Sequence, residues 1–372
     1  LIAVSLRART SLPGACAAVV ALVLGCTPTG ALVCRDRTKP VIYSGQRPRD
    51  CGTRTRLPPS RPRKAINGVI WPGATDADMQ RSFQEARALG VDWMRVDFRW
   101  DAIMPNRGEF DWAFTDRLVA LAAGHNIRLL PILTYAPGWA AVAKLGESGG
   151  LAPRGVDDYE DFVTAAVRRY GPDGTFTATV GPNGIIDHWE LWNEPNLDWF
   201  WGCATPHDYA ILLAAGAGAV RAVDPDAVVV LGGLSPSEEP ILQFEGFLNV
   251  LYDAGVSQCF DVVNLHPYLF QDQSPTTITS RYLDAVEDLL VQRRDLDVPI
   301  WHTEFGYKED WASADAQSTH VNTTFSMLRQ GVLDVVFWFA LRDFSEETFG
   351  LMRPDFSRKP AYDAFATGNA GP

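Results

Sequence analysis

The sequence predicts one (β/α)8 barrel behind an N-terminal export leader and a short arm, and three observations point to it. From residue 65 onward, short apolar runs alternate with amphipathic stretches at a regular interval, the pattern of βα units building a parallel sheet. Eight such units can be placed in the remaining chain, which has the size of that barrel. The apolar runs also end in polar residues, and in an eight-stranded α/β barrel those ends converge on a single rim.

Taken in order, residues 1–35 read as the leader. Arg7 and Arg9 precede an apolar run over 15–25 that is too short to span a bilayer and gives way to small and polar residues. Val23-Leu-Gly-Cys26 resembles a bacterial lipoprotein cleavage box, with Leu24 in place of the usual small residue; Cys26 would then carry lipid and anchor the chain to a membrane. The expectation is a secreted or cell-envelope-attached monomer. Residues 36–64, rich in Arg, Pro and Thr, read as an arm lying on the domain and not as a second core. Of the six cysteines, none has paired metal spacing, so no zinc site and no cofactor are expected. Export permits a disulfide, and Cys34 with Cys51 is the simplest pairing. A formal charge of −12, with no Lys/Arg cluster after residue 64, excludes a nucleic-acid partner and favours neutral substrates.

The domain proper spans 65–372. Its first two strands are placed at 65–71 and 91–98, around a helical pattern at 76–89. Strands three to five follow at 127–134, 185–192 and 227–233, each behind a helical pattern, at 115–124, 159–170 and 209–223. Strands six to eight lie at 260–266, 299–303 and 333–340, behind patterns at 241–254, 282–294 and 316–330, and 362–366 opens a last short helix.

The strand ends carry the chemistry. His188-Trp-Glu-Leu-Trp-Asn-Glu-Pro-Asn196 is an apolar strand pattern broken by proline, so Glu194 falls where strand gives way to loop. Pro299-Ile-Trp-His-Thr-Glu-Phe-Gly-Tyr307 repeats the design and delivers Glu304. Arg95 and Asp97 close strand two, Tyr135 and Trp139 follow strand three, His266 and Tyr268 close strand six, and Trp338 lies on strand eight. Aromatics crowd the same rim, and flat apolar faces complement the C–H faces of sugars. Trp199 and Trp201, beside polar loop residues, are read as site residues; Trp93, Trp112 and Trp189 are read as core. Glu190 is expected to be a buried, hydrogen-bonded carboxylate and Asp97 a structural one.

These motifs resemble those of clan A glycoside hydrolases. Trp192-Asn-Glu-Pro-Asn196 and Thr303-Glu-Phe-Gly-Tyr307 match the acid/base and nucleophile motifs. The segment Arg99-Trp-Asp-Ala-Ile-Met-Pro-Asn-Arg-Gly-Glu-Phe-Asp-Trp112 is most similar to the β-xylosidase and exopolysaccharide-hydrolase group of family 39, with family 5 next. The resemblance implies a TIM barrel with Glu194 as general acid/base, Asn193 beside it on the sugar 2-hydroxyl, and Glu304 as nucleophile. It further implies that Arg95 and Tyr268 orient Glu304, that His266 supports the site, and that Trp338 floors the subsite of the cleaved sugar.

Such a pair requires one carboxyl to hold a proton while the other stays ionised, so their environments must differ. Arg95 and Tyr268 should favour the charge on Glu304. Glu194, crowded by Trp192, Trp199 and Trp201 and facing an anion, should be pushed up. Carboxyls held about 5–5.5 Å apart make a retaining enzyme. The expectation is a metal-free retaining glycosidase acting on a β-linked oligo- or polysaccharide. A glycan-binding barrel with a lapsed site, or a transglycosylase using the same residues, are the alternatives.

Overall fold

The computed structural model describes residue 38 and residues 42–54, 64–142, 151–202, 205–237, 242–268, 282–311 and 313–368. The leader, Cys26 and Cys34 lie outside the described residues. Eight parallel strands alternate with helices. They are β1 Ala65–Asn67, β2 Trp93–Arg99, β3 Arg128–Thr134, β4 His188–Asn193, β5 Val228–Gly233, β6 Val263–Asn264, β7 Ile300–Phe305 and β8 Val335–Trp338. The principal helices are α1 Asp76–Ala88, α2 Ala113–His125, α3 Val156–Tyr170, α4 Pro206–Val223, α5 Phe244–Asp253, α6 Asp284–Arg293, α7 Ala314–Arg329 and α8 Pro360–Thr367. β1 pairs with both β2 and β8. Parallel bridges Val230–Val262 and Leu234–Leu265 join β5 to β6 and complete the ring. The chain is a (β/α)8 TIM barrel.

Strand alternation divides the side chains between two layers. Inside the barrel, below the mouth, Trp93, Leu130, Val230, Trp301 and Phe337 pack into one buried cluster. Outside it, the opposite strand faces pack against the helices. Helix starts are fixed by hydroxyl caps: Thr75, Thr205 and Ser313 accept from the backbone N–H of Asp78, Asp208 and Ala316.

Two boundaries differ from the sequence-based placement for visible reasons. β4 begins at His188 because Pro182–Gly184 forms a 3-10 turn just before it. Strand six is regular only over Val263–Asn264. There the Asn264 side chain donates to Leu231 O at 3.1 Å and accepts from Thr303 N at 3.1 Å, replacing ladder bonds that backbone would make.

Residues 42–54 form a strap against the outside of the barrel. Asp208, at the start of α4, accepts from Ile42 N and Tyr43 N at 3.0 and 2.9 Å. The buried Tyr43 hydroxyl donates to Pro153 O at 2.7 Å. Arg54 pairs with Asp295 at 2.6 Å. The expected Cys34–Cys51 bridge is overturned: Cys51 is bonded to Cys259, 208 residues away. Packing the strap beside the 3-10 turn Ser257–Cys259 brings those two sulfurs together, a proximity that sequence spacing does not encode.

Candidate active site

The site is built around Arg95. Alternation along β2 turns Arg95, Asp97 and Arg99 to the same face as Trp93, toward the barrel axis. The guanidinium of Arg95, 2% exposed, uses its fork fully. Nε and Nη2 grip Glu190 at 2.8 and 2.7 Å, Nη1 reaches Glu304 at 2.6 Å and Asn67 at 3.0 Å, and Nη2 also donates to Asn193 Oδ1 at 2.8 Å. Burial alone would pull this guanidinium's pKa down, but the charges of Glu190 and Glu304 outweigh it and raise the value, so it stays a cation.

Glu304 and Glu194 reach the mouth through local breaks in strand geometry. The β7–β8 register shifts between His302 and Phe305, so Thr303 and Glu304 both contribute to the mouth although strict alternation would send one of them outward. At the end of β4, Trp192 and Glu194 adopt φ of 76° and 42°, left-handed values that cost about 1–3 kcal/mol each and recur at sites the surrounding fold holds in place.

Tyr268 O–H donates to Glu304 Oε2, so Glu304 has a neutral donor on one oxygen and a cation on the other. Burial and the nearby Glu304 charge raise the Tyr268 pKa well above the ordinary phenol value, which keeps it a donor. His266 Nδ1 lies 3.0 Å from Glu194 Oε1, and its Nε2 lies 2.9 Å from Thr303 Oγ1, which also accepts from Asn264 Nδ2 at 2.7 Å. Burial lowers the imidazole to a pKa of about 4 despite its bond to Glu194, so it is neutral above that pH. Gly233 makes room for this ring: a Cβ there would sit 1.9 Å from His266 Nε2. Burial raises Glu194 above the ordinary carboxylate value; the His266 bond opposes the rise and the Glu304 charge adds to it. One oxygen or nitrogen from each of Glu194, His266 and Glu304 falls within 4.8 Å of the others. That spacing is also one a divalent cation could use, but Arg95 already supplies the positive charge at 2.6 Å from Glu304.

The remaining expected residues divide. Asn193 joins the hub. Tyr135, with φ of 65°, lies beneath the Arg99 guanidinium at 4.3 Å, and burial followed by the Asp97 charge raises its pKa well above the usual value. Trp139 is half-buried near the rim, its Nε1 donating to Met104 O at 3.2 Å. Trp199 is half-buried on the short helix Asp198–Trp201. Trp201 is a correction. It is fully buried, its ring 5.4 Å from Trp192 and 5.8 Å from Tyr209, among rings that back onto α3 and α4. Trp192 also turns away from the mouth, 6.0 Å from Tyr159 of α3, so neither ring crowds Glu194.

Trp338 is the second correction. Phe337 fills the barrel interior, so alternation sends Trp338 to the helix side, where it lines a crevice with Val321, Phe325 and Phe365. The next ring, Phe339, returns to the mouth and meets Tyr268 edge-on at 5.8 Å. Glu190 is the buried, hydrogen-bonded carboxylate expected, and its partner is Arg95. Asp97, expected to be structural, faces the mouth between Arg95 and Arg99; burial raises its pKa and those two cations oppose the rise. Sequence reasoning missed Asn67, Asn264 and Thr303 as site residues; Asn67 is the polar residue that ends β1, in register with Arg95 of β2.

No protein-family model matches the chain. Its fold superposes on a family 39 glycoside hydrolase from the gut symbiont Bacteroides cellulosilyticus WH2 with a TM-score of 0.64 and 22% identity, covering 83% of this chain and 64% of that one. A monomeric β-xylosidase from Caulobacter crescentus CB15 aligns with a TM-score of 0.63 and 20% identity over 82% of this chain and 68% of that one. A family 5, subfamily 18 protein from Bifidobacterium longum subsp. infantis gives 0.60 and 17% over 82% and 78%. The chain thus spans about two thirds of the first two of these proteins. At such identities the likeness establishes a shared fold alone, the (β/α)8 TIM barrel.

Proposed function

We propose that the chain is a retaining glycoside hydrolase acting on a β-linked oligo- or polysaccharide, with Glu304 as nucleophile and Glu194 as acid/base. The observation that carries this is the pairing of two buried carboxyls at one barrel mouth, one beside a cation and a phenol donor, the other beside a neutral imidazole and raised in pKa. An oxygen of each carboxyl lies within 4.8 Å of the other, which favours direct attack, since inverting pairs stand about 6.5–9.5 Å apart to admit water.

In the first step a Glu304 oxygen bonds to the anomeric carbon as the bond to the leaving oxygen breaks, and Glu194 transfers its proton to that oxygen. In the second, Glu194 takes a proton from water, the water oxygen bonds to the same carbon, and Glu304 departs as carboxylate. Arg95 holds the Asn193 amide oxygen, which directs the Asn193 N–H groups toward a sugar hydroxyl. The donors to Glu304 are Arg95 of β2 and Tyr268 beyond β6; as the bond to the anomeric carbon neutralises the carboxylate, the neutral Tyr268 O–H can loosen while the Arg95 cation stays in place.

Export and an oxidising compartment belong to the same proposal, supported by the Cys51–Cys259 bridge. The purified chain, screened on aryl β-glycosides and β-linked polysaccharides, should release sugar from at least one with retained configuration. Binding of glycan without hydrolysis of any substrate would instead favour the lapsed scaffold, and products longer than the substrate would favour the transglycosylase.

A further inference from the structure

Opposite Glu194, the segments following β1 and β8 enclose a second groove that the catalytic steps do not use. It has a volume of about 260 Å³, and Trp71, Gly73, Asp78, Arg342 and Phe344 contribute to its lining. Trp71 and Phe344, both half-buried, meet at right angles with centroids 5.1 Å apart. Phe344 meets Phe339 in the same way at 5.8 Å, Phe339 meets Tyr268 at 5.8 Å, and Tyr268 donates to Glu304. A chain of ring contacts therefore runs from the nucleophile to the groove. β4, immediately followed by Glu194, lies across the ring: the order β4-β3-β2-β1-β8 separates it from the groove.

Direction follows from the chemistry. Glu304 bonds to the sugar that stays on the non-reducing side of the cut, and Glu194 protonates the oxygen of the unit that leaves. A groove on the Glu304 side, away from Glu194, extends the path of the retained sugar. Its lining suits a neutral pyranose. Two aromatic rings offer flat faces for C–H contacts, while Arg342 and Asp78, 3.6 Å apart and both partly exposed, supply hydrogen-bond donors and acceptors whose charges offset. We propose, resting on the glycosidase reading, that this groove is a distal subsite for a further unit of a β-linked glycan on the non-reducing side. The enzyme then cuts within chains or releases units longer than one sugar, and does not trim single terminal residues.

The test uses 4-nitrophenyl β-glycosides carrying one, two or three units in the xylose, glucose and mannose series. In the series that is cleaved, kcat/KM should rise at least about tenfold from one unit to two or three, the equivalent of about 1.4 kcal/mol of added transition-state binding. Trp71→Ala should bring that ratio down toward one, and Trp71→Phe, which keeps a flat ring, should retain more of it. A wild-type ratio at or below one, or a Trp71→Ala ratio equal to wild type, overturns the subsite while leaving hydrolysis in place. Absence of hydrolysis with every aryl glycoside and polysaccharide overturns the glycosidase reading and the subsite together.

Discussion

Replacing Arg95 by Met should separate the two things this residue does. Arg95 is the cation beside Glu190, which is 0% exposed and held by two guanidinium bonds at 2.8 and 2.7 Å. Its loss leaves a carboxylate with no charge partner in the barrel interior, and breaking a buried pair from one side costs about 3–5 kcal/mol. Total stabilities are about 5–15 kcal/mol, so the urea midpoint should fall visibly at pH 7. Glu190 can escape the penalty by protonating, so the deficit should shrink as pH is lowered. The double variant Arg95→Met, Glu190→Gln removes both charges and should regain much of the stability. It should not regain turnover, because Glu304 loses its 2.6 Å cation in either variant; hydrolysis should stay at least about 100-fold down, comparable with removing one electrostatic donor from other active sites. A single variant within about 1 kcal/mol of wild type, or a double variant with restored hydrolysis, would refute the assignment of Arg95 to both roles.

Other expectations follow from the same coordinates. Cys51→Ser with Cys259→Ser opens a bridge between residues 208 apart, and should lower stability by about 2–5 kcal/mol in a denaturant titration; an unchanged midpoint contradicts the strap's contribution. His302 is buried and its pKa is lowered from 6.5 to about 4, mainly by burial, so its neutral form is compatible with the fold above pH 6.5 and stability is lost as pH falls from there toward 4. His302→Gln should therefore flatten the acid side of the thermal-midpoint profile by up to one proton's slope, and an identical profile would count against it. Because burial raises Glu194 and activity needs its proton, kcat/KM should be present below that raised pKa and decline as pH rises through it. Glu194→Ala, assayed with a dinitrophenyl glycoside whose departure needs no acid, should lose this alkaline decline; persistence of the limb would assign it to another group.

The strands and the two strand-end glutamates were legible because each rests on a short-range pattern: alternation of apolar runs with helices, and a proline or glycine that stops the strand. Arg95, Tyr268 and His266 were legible through the motif resemblance, and the structure brings all three to the carboxyl pair. What failed depended on phase or on long-range packing. Trp338 and Phe339 are adjacent aromatics, and one step along β8 exchanges barrel mouth for helix layer. Trp201 sits in a loop sequence that looks exposed, yet the short helix Asp198–Trp201 turns it beneath α4. Cys51 finds Cys259 only because a strap without regular structure crosses the outside of the barrel. The Arg95–Glu190 bridge joins strands two and four, and nothing in either local sequence states that they meet.

The central claim is that Glu304 forms the bond to the anomeric carbon while Glu194 handles the proton, and azide can read the two roles separately. With Glu304→Ala and an activated β-glycoside, azide should enter where the nucleophile stood and give the α-glycosyl azide, with hydrolysis otherwise abolished. Recovery of the β-glycosyl azide from Glu304→Ala, or undiminished turnover of an unactivated glycan by that variant, would contradict the account.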